Sequence, residues 1–79
     1  MSQARILVVD DEPGMVRSVE RVLGQRFTVA TSRTPSAALE LAAAFVPDLA
    51  ILDIRMPEMD GFELLHLLKR AHPGLEYWD

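Results

Sequence analysis

Two unbroken apolar runs, each closed by aspartate, constrain this chain more than anything else in it. Ile6-Leu7-Val8-Val9 ends in Asp10-Asp11, and Leu49-Ala50-Ile51-Leu52 ends in Asp53. Neither run alternates apolar with polar residues. Each therefore reads as a strand covered on both faces, the pattern of a parallel sheet. A third run, Phe27-Thr28-Val29-Ala30-Thr31, does alternate, which suits a less covered strand at a sheet edge.

Helical spacing fills the intervals. Pro13 suits a first helical turn, and Met15, Val16, Val19, Val22 and Leu23 follow on one stripe up to Gly24. Thr34-Pro35 reads as an N-cap with proline at N1, and Ala38, Leu41, Ala42 and Phe45 recur until Val46-Pro47 closes the helix. Gly61 to Ala71 is a third helix, whose leucines at 64, 65, 67 and 68 span a wider arc than one buried face requires. After His72-Pro73-Gly74, residues 75–79 read as a tail of uncertain state. The order β-α-β-α-β-α with short connections predicts an α/β layer structure on a parallel sheet. Right-handed crossovers allow strand orders 2-1-3 or 1-2-3, and the alternating second strand favours 2-1-3.

Composition excludes several classes. The 79 residues fit one domain, and 49% hydrophobic with 25% charged residues is ordinary globular composition. There is no cysteine, hence no disulfide, thiolate nucleophile or Cys-ligated zinc. A net charge of −4 gives no basic footprint for direct nucleic-acid binding. No apolar run approaches membrane-spanning length, so a cytoplasmic protein with no membrane contact is expected.

In the 2-1-3 order, Asp10, Asp11 and Asp53 converge at the carboxyl ends of neighbouring strands, where such folds bind ligands. Two carboxylates about 5 Å apart repel by roughly 3 kcal/mol at an effective dielectric of 20. A proton or a cation must relieve this. Oxygen-only ligands favour a hard ion, Mg²⁺ first and Mn²⁺ or Ca²⁺ next. A carboxylate beside such an ion can also act as a nucleophile toward a phosphoryl group. Asp53, at the head of a loop, is best placed for that. An acid at a strand end is as often a helix cap or simply solvated; it is the joint placement of three that favours a site. Glu12 fits better as a favourable charge at a helix start. His66 and His72 lack ligand spacing and read as a solvated helix residue and a helix-end residue.

The stretches Ile6-Leu7-Val8-Val9-Asp10-Asp11-Glu12-Pro13 and Pro47 through Gly61, including Asp53-Ile54-Arg55-Met56-Pro57 and Asp60-Gly61, resemble the receiver domain of two-component response regulators. The resemblance implies a flavodoxin-like (CheY-like) fold and a phosphorelay role. By that likeness Asp53 is the phosphoacceptor and Asp11 a direct Mg²⁺ ligand. Asp10 holds the ion through water, and Arg55 offers its backbone carbonyl. Met56-Pro57 and Asp60-Gly61 shape the loop, and a sensor histidine kinase is the phosphoryl donor.

The family continues with two further β-α units, whose strands end in Thr or Ser and in Lys. These 79 residues show no counterpart, and the one lysine, Lys69, lies in the third helix. The resemblance covers the chain to about Pro73 and leaves 74–79 as a tail outside it. The expectation is a single partial receiver domain over 1–79, truncated after its third β-α unit, with switching impaired. Strand 3 would then present a bare edge and helix 3 uncovered leucines, so a homo-oligomer through either is expected. The alternative is a self-associating or partner-binding module with a vestigial acidic site. An aspartate-nucleophile phosphohydrolase is disfavoured, because Asp53-Ile54-Arg55 lacks the second acid that such enzymes carry. The chain is thus not expected to be an enzyme.

Overall fold

The computed structural model describes residues 3–53 and 61–78. Its elements are β1 (Arg5–Val9), α1 (Pro13–Leu23), β2 (Thr28–Ser32), α2 (Pro35–Phe45), β3 (Leu49–Leu52), α3 (Gly61–Ala71) and β4 (Glu76–Trp78). All strand pairs are parallel, in the order β2-β1-β3-β4. The expected order 2-1-3 is therefore present, with one strand added beyond β3. Val8 pairs with Thr31 on one side and Ile51 on the other, so the three strands end level with one another.

The sheet separates two apolar layers. On one face Leu7, Val9, Ala50 and Leu52 pack with Ala38 and Ala42 of α2, Leu64 and Leu68 of α3, and Leu75. On the other face Ile6 and Val8 are buried, together with Val16 of α1. Burial of a leucine such as Leu7 contributes about 1.5–3 kcal/mol. β1 is covered on both faces, as its unalternating sequence suggests. β3 is not. Ala50 and Leu52 are buried, while Leu49 and Ile51 are only half-buried, because α1 contacts β1 and β2 and leaves that side of β3 open.

Residues 74–78, read from sequence as part of a tail, behave differently. Glu76, Tyr77 and Trp78 pair with Leu49, Ala50 and Ile51. Leu75 is buried at 3% exposure, and the Glu76 amide donates to the Asp48 carbonyl at 3.1 Å. Lys69 hooks the turn from α3 into β4: its Nζ donates to the carbonyls of Pro73 (3.1 Å) and Leu75 (2.7 Å). The cause is non-local, since a parallel edge with unpaired backbone groups takes up the next extended segment. The edge of β3 is thus covered over Leu49–Ile51. The α3 leucines are absorbed as well. Leu64 and Leu68 are buried, and Leu65 and Leu67 are half-buried. Of the two surfaces expected to drive self-association, the β3 edge is taken up by β4, while Leu65 and Leu67 of α3 keep part of their surface exposed.

The helix ends follow local chemistry. Thr34 caps α2, its Oγ1 accepting from the Ala37 amide at 3.2 Å. Gly24 ends α1 with an ordinary right-handed φ of −63°, and a Cβ there would lie 2.6 Å from the Glu20 carbonyl oxygen. Close approach, not a left-handed turn, makes glycine fit. The left-handed cap falls instead on Val46 at the end of α2, with φ 52°. Pro47 bars the residue before it from the helical region, and a left-handed β-branched residue is strained. Val46→Gly should therefore stabilise the fold by about 0.5–1 kcal/mol, the relief of strain exceeding the extra unfolded-chain entropy. Thermal unfolding should show a rise of a few degrees in midpoint. Among the described residues no helix is long and apolar enough to cross a membrane.

Candidate functional site

Strand register brings the acids together. The Asp10 amide donates to the Ser32 carbonyl at 3.1 Å, and the Asp53 amide donates to the Val9 carbonyl at 2.9 Å. The ladder thus runs one residue past the formal strands, and each aspartate is fixed by its backbone to the strand beside it. Behind them Val9 and Leu52 are 1% and 3% exposed, so the site stands on packed core.

Asp10, Asp11 and Asp53 each place a carboxylate oxygen so that all three oxygens lie within 4.8 Å of one another. Asp10 and Asp53 are half-buried and Asp11 is exposed. Asp10 is also held locally: its Oδ1 accepts from the Glu12 amide at 3.0 Å, which orients the side chain and shapes the turn into α1. Glu12 lies at the N-cap of α1 and makes no side-chain cap bond, so the entry to that helix is set by Asp10 and Pro13. Arg55, Met56, Pro57 and Asp60 lie outside the described residues; Gly61 is buried at the start of α3.

The donor set fits a small divalent cation. Octahedral Mg²⁺ holds oxygens at about 2.0–2.1 Å, which places them roughly 3–4 Å apart. Three oxygens within 4.8 Å match that shell when one of them is bridged by water. All donors are hard oxygens, with no cysteine in the chain and no histidine in the cluster.

Other residues singled out in the sequence stay apart. His66 is exposed on α3, and His72 is half-buried just past its end, its amide donating to the Leu68 carbonyl at 2.8 Å. Lys69 is engaged in the α3–β4 turn. Sequence reasoning passed over Ser32, which is 7% exposed, pairs with Val9 and accepts at its carbonyl from the Asp10 amide. Its Oγ donates to the Thr34 carbonyl at 2.9 Å and ties the end of β2 to the cap of α2. The spacing Ser-x-Thr-Pro carried that signal.

Comparison with known proteins agrees with this geometry. A family model described as the response regulator receiver domain matches residues 6–78, past Gly74 and through β4. PleD, a response regulator of Caulobacter vibrioides, is 43% identical over 67 residues, covering 84% of this chain and 15% of PleD. A "Probable cyclic di-GMP phosphodiesterase" of Vibrio cholerae is 39% identical over 77 residues, covering 98% of this chain and 17% of that protein. A CheY-like receiver domain protein of Methanospirillum hungatei superposes with a TM-score of 0.92 at 31% identity, covering 96% of this chain and 62% of that one. The chain therefore spans under a fifth of these two curated relatives and about three fifths of that solved receiver. With its sheet order, its three converging aspartates and a match across nearly its whole length, the chain belongs to the response regulator receiver family of two-component signalling.

Proposed function

We propose that this chain accepts a phosphoryl group on Asp53 from a histidine kinase, assisted by a divalent cation held at the acidic cluster. The observation that carries the proposal is the meeting of Asp10, Asp11 and Asp53 within 4.8 Å at the carboxyl ends of β1 and β3. A loop-bound carboxylate alone would be an unremarkable surface acid. One fixed to the core beside two others is a nucleophile with a cation site next to it.

In the transfer, a carboxylate oxygen of Asp53 bonds to phosphorus while the P–N bond to the donor imidazole breaks. The imidazole nitrogen keeps the electron pair of that bond and regains a proton from solvent. The product is an acyl phosphate on Asp53. Asp11 would ligate the cation directly and Asp10 through water, leaving an Asp53 oxygen for the phosphorus. When bound, Mg²⁺ supplies positive charge to the oxygens being transferred.

The family's readout uses a Thr or Ser and a Lys beside the phosphoryl group. The sole lysine here, Lys69, donates to Pro73 and Leu75 carbonyls and does not belong to the acidic cluster. The chain is proposed to act as an acceptor and not as an enzyme with its own substrate turnover.

Two measurements test this. Incubation with a labelled phosphohistidine donor and Mg²⁺ should give a label that hydroxylamine removes, as expected for an acyl phosphate. Saturating Mg²⁺ should also raise the thermal midpoint, since binding at 100 times the dissociation constant adds about 2.7 kcal/mol. Asp11→Asn should abolish that shift. A chain that takes no label and ignores Mg²⁺ would be an interaction module with a vestigial acidic site.

A further inference from the structure

Among the described residues, the buried polar side chain is Ser32, at the end of β2 beside the acidic site. A buried hydroxyl is costly unless its hydrogen bonds are made. Here they are made, and both run to one residue. Oγ donates to the Thr34 carbonyl at 2.9 Å and accepts from the Thr34 amide at 3.4 Å. Alanine would fill nearly the same volume with no such requirement, so the hydroxyl calls for a role.

Its direction excludes one role. Ser32 pairs with Val9, which belongs to the layer under α2 and α3. The Ser32 side chain therefore projects toward α2, and alternation along β1 carries Asp10 to the other face. The hydroxyl is turned away from the acids and commits its bonds to Thr34. It is not a cation ligand.

Its backbone reaches the site instead. The Ser32 carbonyl accepts from the Asp10 amide at 3.1 Å, the last rung between β1 and β2. Past Ser32 the chain turns at once: Arg33 and Thr34 are exposed, and α2 begins at Pro35. A rung at such a turn stays in place only if the turn is closed. The Ser32–Thr34 bonds close it. Thr34 is in turn fixed to α2, since its carbonyl also accepts from the Ala38 amide at 3.0 Å and its Oγ1 from the Ala37 amide at 3.2 Å. Asp10 is thus braced twice. Its backbone is tied through Ser32 to α2, and its Oδ1 accepts from the Glu12 amide. All these groups belong to β1, β2, α2 and the turn into α1, across β1 from the β3–β4 edge.

We infer that Ser32 is a positioning residue for Asp10, and through Asp10 for the divalent cation; the inference rests on the cation reading given above. Loss of the hydroxyl frees the Ser32 carbonyl to rotate. The Asp10 amide bond then slackens, and the Asp10 carboxylate drifts from those of Asp11 and Asp53. Mg²⁺ tolerates little of this, because it demands near-ideal octahedral geometry. Groups that orient metal ligands directly are worth about ten- to a hundredfold in affinity. Ser32 acts one step further back, so a loss of about five- to tenfold is expected.

The test compares the parent chain with Ser32→Ala and with Thr34→Ala as a destabilised control. The control removes the Oγ1 cap of α2 but keeps the main-chain groups that Ser32 bonds, so its thermal midpoint should fall while the site stays intact. Amide exchange followed by NMR without metal reads the linkage itself. In Ser32→Ala the Asp10 amide should exchange faster relative to the amides inside β1, and in Thr34→Ala that ratio should hold. Calorimetric titration with Mg²⁺ should show affinity about five- to tenfold weaker in Ser32→Ala and near the parent value in Thr34→Ala. A merely structural role would move both variants alike, and that result overturns the inference. So does a parent that binds Mg²⁺ together with a Ser32→Ala variant that binds it equally well. A parent that ignores Mg²⁺ removes the cation reading, and this inference with it.

Discussion

Asp53→Asn should leave the chain folded and incapable of taking up a phosphoryl group. The amide is nearly the size of the carboxylate, so the Asp53 amide's bond to the Val9 carbonyl and the packing of Leu52 behind it should persist. An uncharged amide, however, offers no nucleophilic oxygen to phosphorus. Labelling from a phosphohistidine donor should fall to background. Removal of one charge from the cluster also relieves repulsion among carboxylates whose oxygens lie within 4.8 Å of one another. In the absence of Mg²⁺ the variant should therefore melt slightly higher than the parent, and Mg²⁺ should shift it less. Equal labelling of parent and variant would remove Asp53 from the reaction.

The second large effect lies in the core. Leu7 and Leu64 are fully buried and belong to the same cluster. Truncating a buried leucine to alanine costs about 3–5 kcal/mol, transfer and cavity terms together. A chain of 79 residues has a thin margin, because small domains bury a smaller share of their surface. Total stabilities of about 5–15 kcal/mol are normal for domains in general. Leu7→Ala should thus bring the chain close to unfolding at ambient temperature, and urea titration should show the midpoint collapse. Val22→Ala, at a position 65% exposed, should change monomer stability by no more than about 0.5 kcal/mol. Similar losses at both sites would mean that the layer under α2 and α3 does not dominate the fold.

Much of this was readable in the chain because its causes are local. The run Ile6–Val9 is apolar throughout and β-branched at three of its four positions, so its burial on both faces follows from its composition. Pro13, Thr34-Pro35 and Gly24 mark helix ends by their own backbone and side-chain chemistry. The three aspartates announced a site because a parallel sheet in the 2-1-3 order leaves their strand ends no other place to go. What escaped had distant causes. Residues 76–78 offer two strand-favouring aromatics in a run too short to read alone, and they become β4 because the edge of β3 offers partners. Leu49 and Ile51 resemble core residues, yet their exposure depends on where α1 lies. Ser32 ties β2 to α2 through the local spacing Ser-x-Thr-Pro, but its place beside β1 depends on register, which no single stretch displays.

The hook made by Lys69 has a practical consequence. Its Nζ is the only side-chain amine in the chain, and it is held between two carbonyls at the root of β4. Amine-directed acylation of an intact molecule should therefore proceed quickly at the amino terminus and slowly at residue 69. Each release of β4 from β3 would free the ε-amine, so the rate of the second modification, followed by mass spectrometry, counts how often the last strand lets go.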